Sequence, residues 1–179
     1  MGQKTVEDIY TENDQIRQRL RSVVGGLSDE QAILPTKNGK WTIQGIVEHL
    51  AKVEAGMTSI ISRLLDKAEA DGKTSDGTIN ISNSFVAGIS EFAEKKFVAP
   101  DVVAPGGEQK IGESLEFLKR SREKLNALRT KLETVEGTEF TFPHPAFGDL
   151  SAHDWLVLIG GHELRHIEQI ERILSNHNG

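Results

Sequence analysis

The sequence contains no cysteine, and that absence removes several chemistries at once. The chain cannot form a disulfide, supply a thiolate nucleophile of its own or build a cysteine zinc site, so any metal must be held by His, Asp or Glu. It also lacks an uninterrupted apolar run of the ~20 residues that a bilayer span requires. Its first residues, Met1-Gly2-Gln3-Lys4-Thr5-Val6-Glu7-Asp8, carry no charged-then-apolar signal. The expectation is a soluble cytoplasmic protein with no membrane partner. A basic patch for phosphates is missing too: the formal net charge is −6, and the clusters Lys95-Lys96 and Lys119-Arg120 are flanked by acids. That argues against a nucleic-acid partner. Neither a serine elbow nor an obvious pair of catalytic acids is present.

What is there reads as helix. The chain has 179 residues, 37% hydrophobic and 27% charged, which suits one globular domain spanning residues 1–179. A first helix should begin near Thr5, with Asp8 completing a capping box and Val6, Ile9, Ile16, Leu20, Val23 and Val24 at helical spacing, and should end at Gly25-Gly26. Asn13 interrupts that stripe and reads as its wet edge. Residues 28–40 carry turn chemistry around Ala32-Ile33-Leu34 and form a loop with room for one helical turn.

A long second helix opens with Thr42 as N-cap and Trp41 placed to staple onto Ile46. Its inward face is Ile46, His49, Leu50, Val53, Met57, Ile60 and Leu64, with Glu48 and Lys52 on the outer side. From about 71 to 109 the pattern loosens into a long crossover with a helical patch around Phe85 to Phe97. A third helix covers roughly 111–134, with Ile111, Leu118, Leu125 and Leu132 at heptad spacing and Leu115, Phe117 and Leu128 beside them. Phe140 to Gly148 follows as an extended, proline-fixed loop in which His144 is expected to be exposed. Ser151 and Asp154 box the start of the last helix, with Leu150 stapled onto Trp155. Gly160-Gly161 inside that helix costs about 1 kcal/mol per glycine relative to alanine, which points to a close approach just before His162.

His162 and His166 lie four residues apart on the face that carries Trp155, Ile159, Ile170 and Ile173, while Arg165, Glu168, Glu171 and Arg172 fall away from it. At that spacing both imidazoles can reach one ion. Such a pair by itself is more often a pair of buried, hydrogen-bonded histidines, because the pattern is short. His49, between Ile46 and Val53 on the second helix, is a third core-facing imidazole, and with three from two helices coincidence is the weaker explanation.

Four long amphipathic segments with one long crossover make an all-α fold, a four-helix bundle whose crossover joins the second and third helices. The runs Trp41-Thr42-Ile43-Gln44-Gly45-Ile46-Val47-Glu48-His49-Leu50, Phe142-Pro143-His144-Pro145-Ala146-Phe147-Gly148 and His162-Glu163-Leu164-Arg165-His166-Ile167-Glu168-Gln169-Ile170 resemble the DinB-like superfamily of damage-inducible bacterial proteins over nearly the whole chain. The resemblance implies that His49, His162 and His166 bind a divalent metal. It also implies a place among bacterial thiol-dependent S-transferases and isomerases, or among proteins named as metal-dependent hydrolases, and with the long helices it suggests a homodimer.

Three neutral imidazoles leave a metal its full positive charge and an open position for water or a thiol, so hydrolysis and thiol transfer are variants of one mechanism. Nitrogen ligands suit nickel or zinc. The expected function is a divalent-metal-dependent enzyme acting on an electrophilic small molecule, a thiol S-transferase with a low-molecular-weight thiol co-substrate. The alternatives are a hydrolase using metal-bound water and a non-catalytic metal-binding stress-response protein. Gln169 is expected to orient a ligand or pack at the pocket edge, and Glu163 and Glu48 to be solvated helix-surface carboxylates, with a supporting place beside the metal ligands as the alternative for each. His144, His153 and His177 should be dispensable for metal binding, and substrate contacts should come from 71–109 and 140–149.

Overall fold

In the computed structural model, which describes residues 4–37, 39–94 and 100–177, Thr5 starts the first helix. Its hydroxyl accepts from the Asp8 amide at 3.2 Å and the Asp8 carboxylate accepts from the Thr5 amide at 2.8 Å, so two otherwise orphaned donors are satisfied. Helix α1 (Val6–Val24) ends at Gly25. One capped turn, α2 (Asp29–Ala32), precedes the long α3 (Ile43–Ala70), where Thr42 accepts from the Gly45 amide at 3.1 Å. The crossover contains α4 (Asn83–Glu94) and a 3-10 turn at Asp101–Val103. The expected helical patch thus begins two residues earlier, and Phe97 lies outside the described residues.

The third long helix is divided rather than continuous. The Leu128 amide bonds the Leu125 carbonyl at 3.0 Å, a tightened turn that closes α5 (Ile111–Ala127) before α6 (Arg129–Thr134) resumes. The apolar register survives the step, since Leu118, Leu125 and Leu132 are all buried. Phe117 is not part of it: the ring is exposed, with the Arg120 guanidinium 5.2 Å from its centroid. The proline-bearing stretch is extended as expected but pairs with itself. Strands β1 (Thr141–His144) and β2 (Gly148–Ser151) form an antiparallel hairpin in which His144 faces Gly148 across a three-residue loop, and Gly148 takes a φ of 71° to close it. Helix α7 (Ala152–His177) follows at once. The Asp154 carboxylate accepts from both the Ser151 amide, at 3.1 Å, and the crossover amide of Ser82, at 2.9 Å.

Helices α1, α3, α5 and α7 form the four-helix bundle, with α7 packed between α1 and α3, and α3 against α5. Their apolar faces make two separate clusters. One gathers Val6, Ile9, Tyr10, Ile61, Leu65, Leu125, Trp155 and Ile159, and the other Leu20, Ile43, Ile46, Leu50, Leu118, Ile167 and Ile170. Between them lies a layer of buried polar groups that includes Asn13, Arg17, His49, Glu54, Arg122 and Glu163. The sequence reading placed Asn13 at the wet edge of α1 and Ile16 and Val23 on its inner face. The helix is instead rotated so that Tyr10, Asn13 and Arg17 are buried and Ile16 and Val23 are half-buried.

Asn13 also explains the first glycine of the pair, Gly160. Its amide donates to the Leu156 carbonyl at 3.2 Å, which carries the side chain into α7 where Gly160 has no side chain. A Cβ on Gly160 would lie 2.0 Å from Asn13 Oδ1 and 3.3 Å from Ile16 Cδ1, whereas one on Gly161 would meet nothing within 4 Å. Gly160→Ala must therefore break the Asn13 bond or part the helices, and urea melts should show a loss of about 1–3 kcal/mol. Gly161→Ala should be neutral or gain up to about 1 kcal/mol from helix propensity. Equal effects at the two positions would show that the contact between α1 and α7 is not what requires Gly160.

Candidate metal centre

Helix geometry brings the three core-facing histidines together. His162 and His166 stand one turn apart on α7 with ring centroids 4.7 Å apart, and His49 on α3 reaches across with centroids 5.2 and 5.1 Å from theirs. One nitrogen from each ring falls within 4.8 Å of the others. His49 is buried and the other two half-buried. Trp41, expected only as a staple, also packs its ring 4.8 Å from that of His49.

Neighbouring groups fix two of the tautomers. His49 Nδ1–H donates to the Val103 carbonyl at 2.9 Å, and His166 Nδ1–H to Gln169 Oε1 at 2.9 Å, which leaves each Nε2 as a bare lone pair. His49 Nε2 lies 3.2 Å from His162 Nε2. Burial keeps the rings uncharged: it lowers His49, takes His162 well below its ordinary value with the other two histidines adding to the effect, and pushes His166 down to about 3. Uncharged, convergent imidazole nitrogens with oriented tautomers are the donor set a borderline divalent cation takes. Gln169 thus acts on His166, as a ligand-orienting residue would.

The residues around the triad differ from the sequence reading in three places. Glu163 is 2% exposed, not solvated. Its carboxylate accepts from Arg17 Nε at 2.6 Å and from Nη2 at 3.0 Å, while Arg17 also ion-pairs with Glu54 and donates to the Leu118 carbonyl at 3.2 Å. Arg122 approaches Glu54 at 3.6 Å and Glu163 at 3.7 Å and binds Asp14 at 2.8 Å. Each long helix contributes one member of this buried tetrad. Burial pushes the Glu163 carboxyl up from its ordinary range, but two N–H groups of Arg17 on that carboxylate hold the pair ionised. A small cavity lined by Glu54, Glu163 and His162 joins the tetrad to the triad.

Glu48 is buried as well, at 4% exposure, because the crossover folds over it. Its carboxylate accepts from the Gly106 amide at 2.8 Å and the Gly107 amide at 3.0 Å, with Lys52 at 2.8 Å. Against the burial that would raise it, Lys52 and those amides hold its carboxyl below the ordinary range. Lys52 bonds the Ala104 carbonyl at 2.8 Å and Gln44 the Gly107 carbonyl at 3.0 Å, so residues 103–107 are stitched along α3.

His144 is the third correction. It is half-buried, its centroid 4.7 Å from Phe147 and 5.3 Å from Trp155, and burial pushes its pKa down to about 4. It lines a chamber of about 710 Å³ whose wall also includes Trp41, Val53, Ile60, Val102 and Phe142 and whose inner end is the histidine triad. Arg165, read from the sequence as facing away, borders the same chamber. His153 and His177 are not brought to the triad: His153 is buried, its Nδ1 accepting from the Asn80 amide at 3.2 Å, and His177 is the exposed last residue of α7.

The family model of the DinB superfamily matches residues 12–170, across all four long helices. The chain belongs to the DinB superfamily. Among curated relatives, the protein YuaE of Bacillus subtilis (strain 168) is 26% identical over 149 residues, covering 83% of this chain and 86% of its own. A protein of Oceanobacillus iheyensis, named "putative metal-dependent hydrolase OB0413", is 25% identical over 178 residues, covering 98% and 90%. Two solved structures share the fold. TT2238, described as a four-helix bundle protein, superposes with a TM-score of 0.64 at 21% identity over 94% of this chain and 99% of its own. YfiT from Bacillus subtilis, described as a probable metal-dependent hydrolase with an unusual four-helix bundle topology, gives 0.63 at 18% identity over 97% and 87%. Among the described residues no helix is long and apolar enough to cross a membrane.

Removing one member of the tetrad strands the others without water. Arg17→Ala should lower the unfolding free energy by about 3–5 kcal/mol in urea melts, whereas the volume-matched double change Arg17→Met with Glu163→Leu should recover much of that loss. If Arg17→Ala were as stable as the parent, the tetrad would not be a structural requirement.

Proposed function

We propose that the protein is a metal-dependent hydrolase of small molecules, with His49, His162 and His166 holding one divalent ion, zinc or nickel. The observation that carries this reading is the convergence of three uncharged imidazole nitrogens at the inner end of a chamber of about 710 Å³. The names of OB0413 and YfiT, both as metal-dependent hydrolases, support the reaction class. A divalent ion bound there supplies a Lewis acid and lowers the proton affinity of a water or thiol that it binds.

The chain's own residues prepare the site. Val103 and Gln169 orient two of the three rings, and Arg17 anchors Glu163, which neighbours His162 on the same turn of α7. Trp41, Val53, Ile60, Phe142 and Trp155 give the chamber largely apolar walls, which suit an apolar substrate body. A second reading, thiol S-transfer to an electrophile, is supported by the chamber's volume, which has room for a low-molecular-weight thiol beside a small substrate.

Elemental analysis of the purified protein should find about one zinc or nickel per chain. His49→Ala, His162→Ala and His166→Ala should each lose it, while His153→Ala and His177→Ala retain it. Unchanged metal in all three triad variants would reject the ligand set. A turnover screen of metal-loaded protein separates the reactions: esters, amides and related substrates should be cleaved with no thiol present. Activity that appears only with a low-molecular-weight thiol would favour transfer. Activity that survived chelation would remove both readings, and tightly held metal without turnover of any substrate would favour a binding protein.

A further inference from the structure

The Ala146 amide donates to His144 Nδ1 at 3.1 Å. Only an unprotonated ring nitrogen can accept that bond, so it excludes the imidazolium and the Nδ1–H tautomer together and puts the ring proton on Nε2. The ring has little freedom to change. Pro143 and Pro145 flank it, strand pairing ties its backbone to Gly148, and Phe147 and Trp155 pack against it. Burial agrees with the hydrogen bond in keeping the imidazole neutral. None of the described residues accepts from Nε2, and His144 lines the chamber, close enough to the triad to lower the proton affinity of His162.

We propose that His144 is a substrate-binding residue whose Nε2–H donates to an acceptor oxygen, so that the chamber selects largely apolar small molecules bearing a carbonyl-type oxygen. The proposal deepens the reading of this chamber as the substrate site and rests on it. A fixed neutral donor differs in kind from the three rings opposite. His49 and His166 present Nε2 lone pairs, whereas His144 presents a proton, so it is neither a fourth ligand through Nε2 nor a general base there. Among the apolar walls an unanswered N–H is costly, and a purely apolar molecule filling the chamber would leave it unanswered. A molecule with an oxygen between His144 and the triad answers it, and any negative charge that develops on that oxygen strengthens the bond.

Both tryptophans of the chain, Trp41 and Trp155, line the chamber, so their fluorescence reports on its contents directly. The probe is the ketone 4-phenylbutan-2-one, titrated into metal-free and metal-loaded protein of the parent, His144→Phe and His144→Gln. Saturable quenching is expected in the parent. His144→Phe, which keeps a ring on Phe147 but loses the N–H, should bind roughly fivefold more weakly, and His144→Gln, which retains a donor, should recover most of the affinity. Circular dichroism and metal content should be the same in all three. Independently of any variant, ¹⁵N NMR of the histidine rings should find His144 as the Nε2–H tautomer, with that proton shifted on adding the ketone. An Nδ1–H ring, equal affinity in the three proteins, or no saturable quenching would each overturn the proposal. A protein that held no metal yet bound the ketone in a His144-dependent way would sink the metal reading and leave this one standing.

Discussion

The bidentate contact between Arg17 and Glu163 is the constraint around which the bundle is arranged. A guanidinium and a carboxylate without water cost several kcal/mol each in desolvation, recovered only where geometry and further hydrogen bonds are good. Here Arg17 comes from α1, Glu163 from α7, Glu54 from α3 and Arg122 from α5, so satisfying the charges fixes the relative height and rotation of all four long helices. The second apolar cluster, whose buried members are Ile, Leu, Val and one Ala, constrains that register less sharply than paired charges do. The tetrad cannot slide. Its register is also that of the triad, since His162 neighbours Glu163 and His49 lies little more than a turn before Glu54.

A second set of bonds decides what stands over the triad. Gln44, Glu48, His49 and Lys52 follow one edge of α3, and each engages the backbone of residues 103–107. The same bond that pins Val103 therefore sets the His49 tautomer. Crossover placement and imidazole orientation are one structural event, and the chamber wall that includes Val102 and Val103 is built by it. The hairpin forms the other wall, carrying Phe142 and His144, with Trp155 from the first turn of α7 beneath.

Much of this was legible in the residues. Capping boxes at Thr5 and Ser151, the N-cap at Thr42 and the stripes of α3 and α7 are local signals, and they placed the helices and the three histidines on the right faces. The tetrad went unread because a charged residue inside an apolar stripe looks like an edge until its partners are known, and the partners lie up to 146 positions away. A signal existed. Arg17 follows Asn13 and precedes Leu20, Glu54 falls between Leu50 and Met57, and Arg122 between Leu118 and Leu125, each at core spacing. Two acids and two bases at core positions of four helices balance, and that balance was available from sequence. Glu48 and His144 were not readable in the same way, because Glu48 is covered by the irregular chain at Gly106-Gly107 and His144 is packed by Phe147 of its own hairpin and by Trp155 of α7, contacts that no periodicity records.

The division of labour between the two walls follows from the way each was built. Helices α3 and α7 are held by the tetrad and by two apolar clusters, so the triad they carry is rigid, as precise ligand geometry requires. The crossover and hairpin supply the rest of the chamber wall, the first bonded to α3 through Gln44, Glu48, His49 and Lys52 and the second packed on Trp155. His144 joins the two walls: it belongs to the hairpin, yet the Trp155 ring of α7 packs 5.3 Å from its own and the Ala146 amide holds its Nδ1. A group so placed is suited to meeting the same substrate atom each time, because its ring, its tautomer and the backbone that carries it are each held by a separate contact.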